Sequence, residues 1–271
     1  MGWGIHSGGS AGCALLVLNK RSRQLCARTA CRMHGFVFTG SFIGQQRMFS
    51  ISLKDTTTID NQKQLNQLFR TDCLFLQEGG SVVLSGDIAL GPNVIFGGTN
   101  RISGPARIEA GSVLTNVDLG RNSVVRSHSI ISNLKAGDNN LFGPFCSIRD
   151  DCVVENDVIL GAHVETARSS FGSGVKISHR AFVADARIGR NTIIGAGTVF
   201  CNFDGKARQP ISVGAEVTVG SGTMLVAPLS IGDNIVIGAG SVVTKDLSSG
   251  TKFVQMRPTQ TTMRTTLKAS A

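Results

Sequence analysis

A six-residue ladder of aliphatic side chains constrains this 271-residue chain more than any other feature. One phase holds Leu90, Phe96, Ile102, Ile108 and Leu114. After a one-residue slip it resumes at Leu119, Val125 and Ile131, then at Phe142, Ile148, Val154, Leu160 and Thr166. Ile177 and Val183 follow, then Ile188, Ile194 and Phe200, and after a longer break Val213, Val219, Leu225, Ile231, Ile237 and Val243. The residue after a rung is often glycine, as at Gly91, Gly161, Gly189, Gly195, Gly220, Gly232 and Gly238. Four positions past a rung stands a small or branched residue, such as Val158, Val164, Thr192, Thr198, Val217, Thr223 or Ser241.

Repeat periodicity outranks local helix or strand preference. An amphipathic helix would mix spacings of three and four, and an ordinary strand would alternate every two. A strict six fits a parallel β-helix in which each hexad forms one short face and three faces close a coil of eighteen residues. The rung side chains fill the interior, and glycine serves where positive φ or close backbone approach excludes a β-carbon. The ladder predicts about eight coils stacked at roughly 4.8 Å. A β-sandwich with irregular strands would not hold one phase over so long a stretch.

The charge is uneven. Of the formal net charge of +9, Lys20, Arg21, Arg23, Arg28, Arg32, Arg47 and Lys54 supply a large share, and no acidic residue precedes Asp55. A basic chain can signal nucleic acid, but here the excess sits in a leader, Tyr is absent, and no RNA or DNA motif is present. Residues 1–54 therefore read as a basic, disordered leader, either an organelle transit segment or an overextended start with translation beginning near Met48. The apolar run Ala14 to Leu18 is too short for a membrane span. Residues 55–85 form a lead-in with a short helix from Asp60 to Arg70, residues 86–246 form the β-helix, and residues 247–271 form a tail. The cysteines show no paired metal spacing, and Cys146 and Cys152 fall at small interior positions. A reducing compartment follows: the cytoplasm, or an organelle matrix if the leader is a transit segment.

Three histidines lie outside the leader: His128, His163 and His179. Three-histidine zinc sites occur in β-helices similar to gamma-type carbonic anhydrases, but where a third ligand should follow His163 the chain offers Arg168. No metal is expected, and His128 and His163 read as surface residues.

His179 lies in the segment Phe171-Gly-Ser-Gly-Val-Lys-Ile-Ser-His-Arg-Ala-Phe-Val-Ala-Asp-Ala-Arg-Ile-Gly. The ladder's largest break carries Cys201-Asn-Phe-Asp-Gly, Gly143-Pro-Phe-Cys-Ser-Ile-Arg precedes, and Ala227-Pro228 follows Ser221. Over residues 60–258 this pattern resembles the C-terminal acetyltransferase half of the bifunctional N-acetylglucosamine-1-phosphate uridylyltransferase and glucosamine-1-phosphate acetyltransferase family. The resemblance implies an all-β, left-handed parallel β-helix of hexapeptide repeats that assembles as a homotrimer with sites between subunits. It implies acetyl-CoA as cofactor and an amino sugar, glucosamine-1-phosphate or a relative, as acceptor, with neither nucleic acid nor membrane as partner.

By the same resemblance His179 would be the general base, Asn202 would orient the amine, and Ser221 would stabilise the oxyanion. Arg149 would bind the sugar phosphate, Arg208 falls on a family lysine, and Ser221, Ala239 and Arg257 would contact the coenzyme. Family tyrosines fall on Phe182 and Phe203, a family asparagine falls on Ile193, and a family lysine falls on Ala167, where neighbouring Arg168 would substitute by a register shift. Nothing pairs a cysteine or serine with His179, so attack is expected to be direct, without an acyl-enzyme. No nucleotide-binding loop precedes the repeats, so uridylyl transfer is expected to be missing. A catalytically idle scaffold on the same prism is the alternative.

Overall fold

The computed structural model describes residues 42–43 and 46–256. Twenty-seven short strands form one continuous sheet wound into a left-handed parallel β-helix of about ten turns. The inward side chains stack in three rows, one per face. Face 1 carries Leu76, Phe96, Leu114, Ile131, Ile148, Thr166, Val183, Phe200, Leu225 and Val243. Face 2 carries Leu84, Ile102, Leu119, Ala136, Val154, Phe171, Ile188, Val213, Ile231 and Leu247. Face 3 carries Leu90, Ile108, Val125, Phe142, Leu160, Ile177, Ile194, Val219, Ile237 and Phe253.

The ladder is thus longer than the expected eight coils: Leu76, Leu84, Leu247 and Phe253 extend it at its ends, and Ala136 and Phe171 fill gaps within it. Ala136 and Phe171 follow the preceding rung by five residues, not six, so a strict hexad search passes over them. In those coils the missing residue always lies at the corner between faces 1 and 2. The chain turns there on residues in the left-handed region: Asn116 (φ 55°), Asn133 (φ 50°), Arg168 (φ 49°) and Asp185 (φ 52°).

The glycines after the rungs serve the other expected purpose, close approach. A β-carbon on Gly161 would lie 2.0 Å from the Ser178 carbonyl oxygen, and one on Gly195 would lie 2.5 Å from the Ser221 nitrogen. The small residues four past the rungs close the corners from inside. Thr198, Thr223 and Ser241 are buried, yet each hydroxyl donates to a carbonyl three residues back, at 2.7, 2.6 and 2.6 Å. Burial therefore leaves no polar group unsatisfied.

Both domain boundaries move outward. The strand Phe49–Ile59 pairs antiparallel with Ser81–Leu90, and Met48, Phe49, Ile51 and Leu53 are buried. Residues 49–54, expected within the leader, are therefore part of the folded unit, because the open edge of the first coil needs a partner. The helix Gln62–Phe69, capped by Asn61 accepting from the Gln64 amide, buries Leu65 and Phe69 over the end of the core. The first parallel pairing begins at Leu74 and the last reaches Phe253, so the solenoid overruns the expected limits of 86 and 246. The leader's first 41 residues lie outside the described ones.

Phe171 is among the largest fully buried side chains and lies on face 2. Phe171→Ala should cost about 3 to 5 kcal/mol in chemical denaturation. Val153→Ala, on the outward side of the same face, should cost less than about 0.5 kcal/mol.

Candidate functional site

His179 ends the strand Lys176–His179 and is exposed at the corner between faces 3 and 1. The inter-coil bonds at that corner fix what stands above it. Gly197 N donates to the Arg180 carbonyl (2.7 Å), Gly222 N to Ala196 (2.8 Å), and Gly240 N to Ser221 (2.8 Å). His179, Ala196, Ser221 and Ala239 therefore form one column along the prism edge. Beside them Gly197, Gly222 and Gly240, all with positive φ, leave a strip without side chains. His179 and Ser221 are two coils apart, about 10 Å at strand spacing. They cannot hydrogen-bond to each other, but a thioester can lie between them. Lower on the same edge Phe145 stacks between His128 and His163, with ring centroids 5.3 Å apart on both sides. Among the described residues no group of three metal-ligating side chains occurs.

The corner between faces 1 and 2 carries a ladder of charge. Arg149 pairs with Asp150 (2.6 Å) and Glu165 (3.0 Å). Arg168 reaches down to Asp150 (2.9 Å) and up to both oxygens of Asp185 (2.7 and 3.0 Å). Asp185 also accepts from Asn202 Nδ2. The hydrogen bond and charge of Arg168 hold the Asp185 carboxyl below the usual carboxylate range, and the same pair raises Arg168. Hydrogen bonding to Glu165 likewise raises Arg149. Arg168, expected to replace a lysine in the sugar pocket, is paired within this ladder, as Arg149 is, and Ala167 beside it is fully buried.

The ladder's break is a loop, residues 202–210, standing off this corner. Phe203 and Arg208 form an antiparallel bridge. Asp204 closes the turn by accepting from the Lys206 and Ala207 amides, both at 2.8 Å, and from Gln209 Nε2 at 2.8 Å. These bonds, the Ala207 amide foremost, lower the Asp204 carboxyl. Phe203 is 62% exposed, and Arg208 is exposed beside it.

The expected site residues thus fall into two groups. His179, Ser221 and Ala239 share one edge, while Arg149, Arg168, Asn202, Phe203 and Arg208 share another. Phe182 lies on face 1 between them. From His179 to Asp185, below Asn202, the chain crosses the whole face, about 20 Å at strand rise. Arg257 lies outside the described residues. Sequence reasoning missed Asp150, Glu165 and Asp185, although Asp150 and Asp185 sit at left-handed corners of face 1 and the repeat drops a residue at Asp185.

The fold and repeat define a hexapeptide-repeat β-helix, and residues 210–245 match the family model of the hexapeptide repeat of succinyl-transferase. Within that class the repeat region is similar to the bifunctional protein GlmU of several bacteria. It is 36% identical over 171 residues to that of Dichelobacter nodosus, covering 61% of this chain and 37% of the relative. It is also 36% identical over 148 residues to that of Acinetobacter baumannii, covering 55% and 33%. The chain thus spans about a third of the length of these relatives. A solved UDP-N-acetylglucosamine acyltransferase from Campylobacter jejuni aligns with TM-score 0.47 at 14% identity, over 60% of this chain and 70% of that one. Among the described residues no helix is long and apolar enough to cross a membrane.

Because folding depresses the Asp185 carboxyl, its pairing stabilises the fold above the ordinary aspartate range. That stability is lost as pH falls through the depressed value. The melting midpoint of Asp185→Asn should therefore lie below wild type at neutral pH, and the two curves should converge in acid.

Proposed function

We propose that the chain is an acetyl-CoA-dependent N-acetyltransferase acting on glucosamine-1-phosphate or a related amino sugar. The observation that carries this reading is the exposed column of His179, Ser221 and Ala239 beside a glycine strip, in a chain similar to GlmU over its repeats. In this reading the pantetheine arm of the coenzyme lies along the strip, with the Ala239 backbone and Arg257 as contacts. His179 takes a proton from the amine as the nitrogen attacks the thioester carbonyl, the role of a general base. The Ser221 hydroxyl donates to the developing oxyanion, and coenzyme A thiolate departs.

Arg149 and Arg208 supply charge for the phosphate, and Phe182 and Phe203 stack on the sugar ring. Because His179 and Asn202 lie a full face apart in one chain, a second copy must bring one edge against the other. The outward side chains favour such an assembly. Exposed Ile130, Met224 and Val242 on face 1 and Ile193 and Val236 on face 3 flank the His179 edge. Face 2 presents Arg101, Asp118, Lys135 and Arg187 with Val153 exposed among them, and the exposed charges of face 3 include Lys176 and Lys252. Packing the two more apolar faces inward and the more charged face outward suits a homotrimer. The compartment proposed is the cytoplasm or another reducing space that holds acetyl-CoA.

A binding-only scaffold is the second reading, favoured by the Arg149 and Arg168 guanidinia, which already pair with protein carboxylates. Calorimetry with coenzyme A separates the two, since a scaffold should give no heat. With a panel of amino sugars carrying or lacking the 1-phosphate, His179→Ala should lower acetyl transfer about 10²- to 10⁴-fold. Unchanged turnover in that variant would sink the proposal. Sedimentation of the intact protein should give three copies.

A further inference from the structure

The edge between faces 1 and 2 holds a carboxylate that the proposed chemistry leaves unused. Asp185 turns a left-handed corner directly below the inserted loop. Its side chain accepts from Asn202 Nδ2 at the loop's entry, and its backbone carbonyl accepts from the Ile211 amide (3.1 Å) at the exit. Arg168 locks the carboxylate from the other side with two hydrogen bonds. Asp185 therefore holds both ends of the segment that carries Phe203 and Arg208.

The chemistry at the entry is one-directional. A side-chain amide has a donor end and an acceptor end of nearly equal size, and an ionised carboxylate only accepts. Beside Asp185, the NH2 end of Asn202 is the one that can face inward. The Asn202 side-chain oxygen Oδ1 is then turned away from the Asp185 carboxylate and no described residue donates to it, while the Asn202 backbone carbonyl separately accepts from the Gln209 amide (2.7 Å). The charged groups facing Asp185 are Arg168, paired in turn with Asp150, and Arg208 at longer range.

We propose that Asp185 is a positioning residue for acetyl transfer: it fixes the Asn202 amide so that its carbonyl oxygen accepts an N–H of the substrate amine. This rests on the reading of the site given above. With one N–H held there, the nitrogen lone pair is directed at the thioester carbonyl, and another N–H remains for His179 of a neighbouring copy. Reversing the amide would set a donor against the amine's lone pair and occupy the electrons needed for attack.

A double-mutant cycle on the full chain tests the role, with acetyl-CoA and glucosamine-1-phosphate as probes. Asp185→Ala and Asn202→Ala should each lower kcat about 10²-fold, as loss of orientation does, with the KM for acetyl-CoA unchanged. The double variant should be no slower than Asn202→Ala alone, because Asp185 acts through Asn202. Equal losses in both backgrounds would mean a merely structural role and overturn the proposal.

A second measurement does not need the enzyme to be active. The Asn202 side-chain NH2 resonances, identified by their loss in Asn202→Ala, should shift in the isosteric Asp185→Asn variant. Unmoved resonances overturn the contact itself. Shifted resonances in a wild-type protein that transfers no acetyl group keep the contact and overturn the functional reading on which the proposal rests.

Discussion

Everything in this molecule depends on the spacing between successive coils. Parallel hydrogen bonding sets that spacing at about 4.8 Å, and each face then stacks one inward side chain per layer with no room for adjustment. The glycines after many rungs follow from this, since a β-carbon at Gly189 would lie 2.5 Å from the Gly214 carbonyl carbon in the next coil. So do the buried threonines, whose hydroxyls answer corner carbonyls that no strand partner reaches. The same spacing arranges exposed side chains in columns, so residues far apart in sequence become neighbours on one edge.

The fold was legible because its rule is one-dimensional: a hexad repeat can be counted along the chain without knowing what touches what. Counting recovered the phase at Leu119 and Ile188, but it passed over a rung in two other coils that drop a residue. Phe171 is buried in the core and Ala136 packs against it, but both arrive one position early. It failed again at the ends, where Phe49, Ile51 and Leu53 follow the two-residue alternation of a strand and carry no hexad signal.

The candidate site was legible residue by residue but not as a place. His179, Asn202 and Ser221 stand out through their local segments, yet their grouping depends on which corner each occupies. That corner is fixed by the summed lengths of all coils between them. The pairing of Arg168 with Asp185 was hidden for the same reason, being a contact between successive coils. Arg168 was therefore read only as a substitute for a lysine at Ala167, without its pairing to Asp150 and Asp185.

The loop of residues 202–210 leaves the prism after Phe200, and the chain rejoins it with Ile211–Val213 in register with Ala186–Ile188. The winding absorbs the whole insertion at one corner, and both neighbouring faces continue as though nothing had been added. That corner works as a port: residues can be gained, lost or exchanged there without disturbing a single core layer. Under the proposed function, acceptor preference in such a scaffold can drift while the edge bearing His179 and Ser221 stays fixed. Relatives that keep the same winding need not keep the same substrate.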